Sequence, residues 1–528
     1  IGRNEITYNI NLKYNFMFKN HPKGLLAASL SNMGERFGFY IMMAILVLFL
    51  MGKYGLDLKT AGGIYSGFYF AIYALALVGG IIADKTKQYK NTIAVGIALM
   101  AIGYLIIAIP TDTPVTNFPL MLGLTCFGLF VIAFGNGLFK GNLQALVGQL
   151  YDENPEFANK RDEGFSLFYM FINVGAIFAP IVAVLIRNLW LKINGFLYDS
   201  TLPALCHQYL GGTINAEGTA SLTTLSKEVS INGAPTDLTV FANEYLNVFN
   251  TGFHYAFGIA IIAMLISFTV FLINKKGFPD PANKKVGDIE KASKTVVMDA
   301  TEVKKRLYAL FAVFGVVIFF WFSFHQNGLT LTSFAKDFTD LSAFEINFFN
   351  IVTLKGAELF QIFNPLFVVC LTPVVLGLFG WLRARGKEPS APKKIAIGMG
   401  IAAIAYLVMT IGSLGLPSDT ERIAMGGNIE RVTPTLLIGT YLILTIAELF
   451  ISPLGLSFVS KVAPPHLQGV MQGCWLGATA IGNSLLFIGA IFYEKISLSG
   501  TWAIFVGACL ISMLIMLGMV KWLERITK

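Results

Sequence analysis

Residues 25–51 read LLAASLSNMGERFGFYIMMAILVLFLM. The run is long and oily enough to cross a bilayer as one α-helix, which takes about 20 apolar residues. Yet Glu35 and Arg36 sit near its middle. A charge at the bilayer centre costs roughly 2.5–3.5 kcal/mol. A cation kept there faces a water-filled cavity and handles something charged. Lys140 and Glu448 lie in apolar runs of the same kind. Four ionisable side chains among oily helices point to a transport pathway.

The rest of the chain agrees. Of 528 residues, 55% are hydrophobic and 13% charged, against about 25% charged in soluble domains. Apolar runs alternate with short charged segments, the pattern of a polytopic helical membrane protein. They fall near 25–51, 61–83, 91–109, 118–150, 163–188, 253–274, 306–334, 356–382, 394–414, 434–460, 467–492 and 499–522. The runs are oily throughout, without the period-two alternation of a membrane strand, so the expected fold is all-α with twelve transmembrane helices.

With the N-terminus in the cytoplasm, the cytoplasmic segments hold roughly three times as many lysines and arginines as the outer loops. Both termini are therefore expected inside, in a multi-pass protein of the cell membrane. The net charge of +8 follows from this one-sided placement, and no nucleic-acid partner is expected. Lys355 lies near an outer span end, where snorkelling to the interface suffices.

The expected division is a cytoplasmic tail 1–24, a six-helix bundle 25–274, a cytoplasmic linker 275–305, a second six-helix bundle 306–522 and a tail 523–528. Residues 1–24 are polar and lead straight into a full span, so no cleavable signal is expected. The lysine-rich linker has no room for two further spans. Residues 189–252 are rich in Thr, Asn, Ser and Gly and too polar to span. They form either a cap or an exposed loop. Six plus six is a layout of transporters built from two related bundles. Cys126, Cys370, Cys474 and Cys509 fall in spans and Cys206 in a loop, so no disulfide framework is implied. No metal or cofactor is expected, no phosphate-binding Gly-rich loop is present, and no enzyme chemistry is apparent.

The second span ends in Gly79-Gly80-Ile81-Ile82-Ala83-Asp84, followed by Lys85, Lys87 and Lys90. This resembles the loop between spans two and three of the major facilitator superfamily, where a Gly permits close helix approach and the Asp latches the cytoplasmic side. The first span carries Glu35-Arg36-Phe37 and Tyr40. The fourth carries Phe139-Lys140-Gly141-Asn142 with Gly148 and Tyr151, and the tenth Glu448-Leu449-Phe450-Ile451-Ser452-Pro453-Leu454-Gly455. In this order they resemble the proton-dependent oligopeptide transporter family. The resemblance implies the major facilitator fold, with two bundles around a central site and import of di- and tripeptides by alternating access with inward proton movement.

By that resemblance Arg36 and Lys140 receive the peptide carboxylate, and Glu448 on the opposite bundle receives its ammonium. Tyr40, Tyr73, Asn173, Trp321, His325, Gln326, Asn364, Ser452 and Trp475 are the other expected substrate contacts. A short peptide is a zwitterion, and opposite charges on two bundles fit it without appeal to any family. A ligand bridging both halves also favours the closed state, as a population shift requires. The expected partners are peptide, protons and lipid, with the chain a monomer. Structural readings stand beside each role. Arg36 would only latch to Glu35, Lys140 only pack helices, Glu448 cap a kink near Pro453, the aromatics pack, and Asn173 hold helices together.

The sequence departs from the family where protons are handled. Asn32 replaces a carboxylate three residues before Glu35, Phe39 replaces a Tyr, Met43 stands at an arginine position, and His325 replaces an acid four residues after Trp321. With Glu35, Arg36 and Lys140 charged, the first bundle's core is left with one net positive charge. Proton coupling is then expected to use His325, which titrates near neutrality and would pair with Glu448 when protonated. Otherwise Glu35 or Glu448 titrates, or His325 is a neutral hydrogen-bonding residue. The competing functions are the same fold carrying nitrate or another small anion, and a sensor that binds peptide without moving it.

Overall fold

The computed structural model describes residues 21–86, 88–152, 156–157, 161–279, 299–348, 352–427, 429–464 and 468–526. Helices run as α1 (Gly24–Tyr54), α2 (Leu58–Thr86), α3 (Tyr89–Ala108), α4 (Phe118–Asp152), α5 (Arg161–Ile193), α6 (Leu202–Leu210), α7 (Ala216–Val229) and α8 (Leu238–Asn274). After α9 (Ala300–Phe324), a 3-10 turn at His325–Gly328 leads into α10 (Thr330–Phe338). Strands β1 (Ile346–Phe348) and β2 (Val352–Leu354) pair antiparallel, with Ile346 opposite Leu354. A second 3-10 segment, Ala357–Ile362, precedes α11 (Phe363–Ala384). The chain continues through α12 (Ala391–Gly412), α13 (Asp419–Ala424), α14 (Thr435–Val462), α15 (Gln468–Ser484), α16 (Leu486–Lys495) and α17 (Leu498–Ile526).

Twelve of these segments are long and apolar enough to cross a membrane, as the twelve apolar runs predict. A helix satisfies its own backbone groups where lipid offers none, which is why oily runs of this length take that form. The first six spans form one bundle. In it α1 packs on α5 and α8, and α4 on α2 and α3. The last six form another, with α12 between α14 and α17 and α9 against α15 and α17. Between the bundles, α2 lies along α15 and α16, and α5 meets the 357–362 segment and α11. The short strands lie outside the spans.

The sixth span begins earlier than its expected start at 253. Residues 238–252 are too polar to read as a span, but Phe241, Tyr245, Phe249 and Phe253 recur every fourth residue and are buried. Their rings contact in sequence at 5.5, 5.8 and 5.3 Å between centroids. This ladder extends α8 to 37 residues, about 55 Å against a hydrocarbon core of about 30 Å. The rest of the polar segment folds as α6 and α7. The side chains of Asn215 and Asp237 accept backbone N–H bonds at the starts of α7 and α8. The segment is therefore a folded cap.

Gly79 shows why small residues precede the loop after α2. A Cβ there would collide with the Gly137 carbonyl oxygen on α4, whereas a Cβ at Gly80 meets nothing within 4 Å. Gly79→Ala is expected to destabilise the protein by about 1–3 kcal/mol. Gly80→Ala should be neutral or slightly stabilising, because Ala favours helix. Thermal unfolding in detergent checks this, and equal midpoints for the two variants would contradict it. The Asp84 side chain, Lys87, the Pro453 side chain, and most of the expected tail 1–24 and linker 275–305 lie outside the described residues. All five cysteines are free. Lys355 Nζ pairs with Glu345 Oε1 at 2.8 Å on the surface, in keeping with its position near a span end.

Candidate functional site

Asn32, Arg36 and Tyr40 occupy successive turns of α1 and share a face. Arg36 turns back on its neighbour: Nε donates to Glu35 Oε2 at 2.5 Å and Nη2 to Oε1 at 2.6 Å. Asn136 Nδ2 on α4 donates to the same Oε1 at 2.5 Å. Glu35 and Arg36 are buried, and a buried pair holds only when its geometry and supporting hydrogen bonds are good. The pairing considered for Arg36 is therefore present, and Arg36 also lies 4.4 Å from the centroid of the Phe39 ring.

Lys140 is one turn beyond Asn136 on α4. Its ammonium lies 4.4 Å from the Tyr73 ring centroid on α2, a cation–π contact of about 0.5–2 kcal/mol. Among the described residues no carboxylate is within ion-pair distance of it. Of the two basic side chains expected in the first bundle's core, Arg36 is paired with Glu35 and Lys140 lies against Tyr73.

On the facing bundle, Asn364 Nδ2 from α11 donates to Glu448 Oε2 at 2.8 Å and to Thr445 Oγ1 at 3.1 Å. Tyr40, Tyr73 and Tyr169, all from the first bundle, each lie within electrostatic reach of both Arg36 and Glu448. Tyr40, Tyr73, Lys140, Asn364 and Glu448 are all partly exposed within the spans. Side chains from two bundles that converge and yet remain partly exposed border a central hollow, with Lys140 on one wall and Glu448 on the other.

His325 stands at the break between α9 and α10. Its Nδ1–H donates to Asn483 Oδ1 at 2.5 Å. Its ring stacks on Trp321 (4.9 Å, 17°) and abuts Tyr69 of the other bundle at 4.7 Å. Asn483 precedes a second break, between α15 and α16. Breaks in membrane helices are tolerated where side chains recapture the freed backbone groups. Gln326 does this: its Nε2 donates to Phe322 O at 3.3 Å and to Leu486 O at 3.2 Å, and its Oε1 accepts from Thr330 Oγ1 at 3.0 Å.

The structure therefore brings Arg36, Tyr40, Tyr73, Lys140, Asn364 and Glu448 to the hollow, with His325 reaching it beside Tyr69. It does not bring Gln326 there, because the 3-10 turn rotates that fully buried amide into helix packing. His325 is bonded to Asn483, and Glu448 is held by Asn364 rather than by His325. Trp475 is buried against Phe314 and so close to Gly455 that a Cβ there would collide with the indole. Trp321 Nε1 and Ser452 Oγ are buried without partners among the described residues. Asn173 Nδ2 donates to Tyr169 O of its own helix at 3.2 Å and bridges no helices through that bond.

Tyr69, Asn136 and Asn483 were not legible as site residues, and neither was a polar seam at the end away from the termini. There Arg187 on α5 donates to Glu358 Oε1 of the other bundle, with both side chains at most 1% exposed. Arg187 also donates to Lys355 O at 3.0 Å and Asn188 Oδ1 at 3.0 Å. Its guanidinium lies 3.9 Å from the Tyr198 ring centroid and 5.3 Å from that of Phe253. Asn188 Nδ2 donates to Thr353 O at 2.9 Å, and Glu494 Oε1 accepts from Lys59 N at 2.9 Å. The bundles are thus locked together at this end.

Twelve spans in two bundles around a charged central hollow define a transporter of the major facilitator fold, not an enzyme. A sequence profile described as the POT family matches residues 90–298 and 282–505. The chain belongs to that family, the proton-dependent oligopeptide transporters. It is 29% identical to the uncharacterized transporter YclF of Bacillus subtilis, covering 91% of this chain and 89% of that protein. It is also 29% identical to the peptide transporter YePEPT of Yersinia enterocolitica, covering 88% and 87%. A crystal structure of a peptide transporter POT in complex with sulfate superposes with a TM-score of 0.69 at 23% identity, covering 96% of both chains.

Proposed function

We propose that this chain imports di- and tripeptides across the cell membrane by alternating access, driven by inward proton movement. The observation that carries the proposal is the opposition of Lys140 and Glu448 on facing walls of one hollow, with Tyr40 and Tyr73 between them. A zwitterion placed there meets a cation at its carboxylate and a carboxylate at its ammonium. Relatives named as peptide transporters support the substrate class. The excess of Lys and Arg on the side of the termini supports a cytoplasmic placement of both ends. The proposed carrier works as a monomer, since each chain contains both halves of its own site.

His325 is the proposed proton-handling residue, with Glu35 and Glu448 as the other ionisable groups of the pathway. With Nδ1–H committed to Asn483, Nε2 is the atom that accepts a proton. His325→Gln is expected to weaken gradient-driven uptake by the about 5- to 150-fold that 1–3 kcal/mol of coupling represents, while exchange of peptide across the membrane stays near wild type. Unchanged pH dependence of driven uptake in that variant would remove His325 from the pathway.

Uptake of labelled dialanine into liposomes, with and without an inward proton gradient, tests the whole reading. Gradient-stimulated accumulation is expected. Counterflow without stimulation indicates an uncoupled carrier, and binding without uptake a sensor. Nitrate uptake that peptide does not inhibit would replace the peptide reading with the anion one.

A further inference from the structure

We propose that Asn32 and Lys140 form a site for a small monovalent anion, filled when no substrate carboxylate is present. Asn32 is 4% exposed, and among the described residues its Nδ2 has no hydrogen-bond partner. A buried donor left unpaired costs about 1–3 kcal/mol. Lys140 contributes an ammonium that lies against the Tyr73 ring and has no carboxylate within ion-pair distance among the described residues.

The two groups lie at the same depth. Glu35 on α1 and Asn136 on α4 are in contact at 2.5 Å, and these helices run in opposite directions. Asn32 is three residues from Glu35, and Lys140 four from Asn136, both toward the end that carries the termini. At 1.5 Å rise per residue the displacements are about 4.5 and 6 Å. The amide and the ammonium thus flank the same level of neighbouring helices, just below a Glu35 carboxylate that is fully engaged by Arg36 and Asn136. Lys140 is also within electrostatic reach of Arg36 and Glu35.

A water molecule would answer the Asn32 amide but not the charge. One halide-sized anion answers both. A single negative charge matches the single excess positive one, whereas a divalent anion would leave a new charge unpaired. The same ammonium is the proposed receiver of the substrate carboxylate, so anion and substrate exclude each other. That last step rests on the peptide reading; the anion site itself does not.

Thermal unfolding of the purified protein, titrated with chloride or nitrate against isethionate at constant ionic strength, tests the site. A saturable rise in midpoint is expected with the two small anions and absent with isethionate, a larger sulfonate. Lys140→Gln should abolish the rise. Asn32→Glu, which places a carboxylate beside the ammonium, should abolish it as well. In dialanine uptake, the half-saturating chloride concentration should double the apparent KM at unchanged maximal rate. An identical rise in isethionate, or one that survives in Lys140→Gln, overturns the proposal. A saturable rise that vanishes in Lys140→Gln, in a protein that moves no dialanine, would sustain the anion site and reject the peptide reading.

Discussion

Lys140→Gln and Glu448→Gln are each expected to cut dialanine uptake by about 10²–10⁴-fold, the equivalent of the roughly 3–5 kcal/mol lost when one partner of a desolvated charge pair is removed. In each variant one end of the zwitterion enters the hollow uncompensated. The two substitutions are separable by substrate chemistry. Wild-type protein should bind dialanine far better than either dialanine amide, which lacks the carboxylate, or N-acetyl-dialanine, which lacks the ammonium. Lys140→Gln should lose discrimination against the amide and keep it against the acetylated peptide, and Glu448→Gln should do the reverse. Competition against labelled dialanine in counterflow measures both ratios. If both variants kept wild-type discrimination, the two residues would not grip the ends of the substrate. Arg36 is a poorer subject for this test, since its bidentate bond to Glu35 makes its loss a structural event as well.

Glu358→Gln is expected to open the end of the protein away from the termini. It replaces the carboxylate facing the buried Arg187 guanidinium with a neutral amide, so the cation keeps oxygen partners but loses its ion-pair partner among the described residues. Removing one member of a buried pair costs about 3–5 kcal/mol. The cost falls on the closed arrangement, because water reaches both groups once the bundles part. The ratio of closed to open molecules should drop by about 10²–10⁴-fold, and uptake should fall with it. Spin labels at Asn194 and Ile346, exposed positions on either side of the seam, should report longer distances in the variant than in wild type. A matched apolar replacement, Arg187→Met with Glu358→Leu, should restore closure, since well-packed apolar pairs often equal or exceed the ion pair they replace. Unaltered distances in Glu358→Gln would show that the pair does not hold the bundles together.

The spans were legible because an oily run has few alternatives in lipid. The polar segment 189–252 was not, since the aromatic ladder of α8 is diluted by Thr and Asn below the hydropathy of a span. Glu35, Arg36, Lys140 and Glu448 stood out because a charge is rare at mid-span. Arg187 and Glu358 did not, because they lie near span ends where charges are ordinary, and only the packing of Tyr198, Phe249 and Phe253 around Arg187 buries them. Tyr69, Asn136 and Asn483 are neutral and look like any helix-packing residue until their partners are known. Gln326 illustrates the opposite failure. It follows His325 in sequence, but the 3-10 turn sends successive side chains to different places, so neighbouring residues do not share the hollow.

The cap has a mechanical consequence. Helix α6 is tied to the first bundle, since His207 bonds Gly52 O at 2.7 Å, and α7 follows it. Among the described residues, their ties to the other bundle are Asn215 to Ala424 O at 2.8 Å, Arg431 to Thr201 at 3.1 Å, Ser200 to Lys336 O at 3.2 Å, and the packing of α7 against α13. When the halves rock, the cap must ride with the first as a lever arm, its tip sweeping further than any helix end within the lipid. A binder spanning α7 and the 424–431 stretch would brake that swing from solvent, without competing for the central cargo.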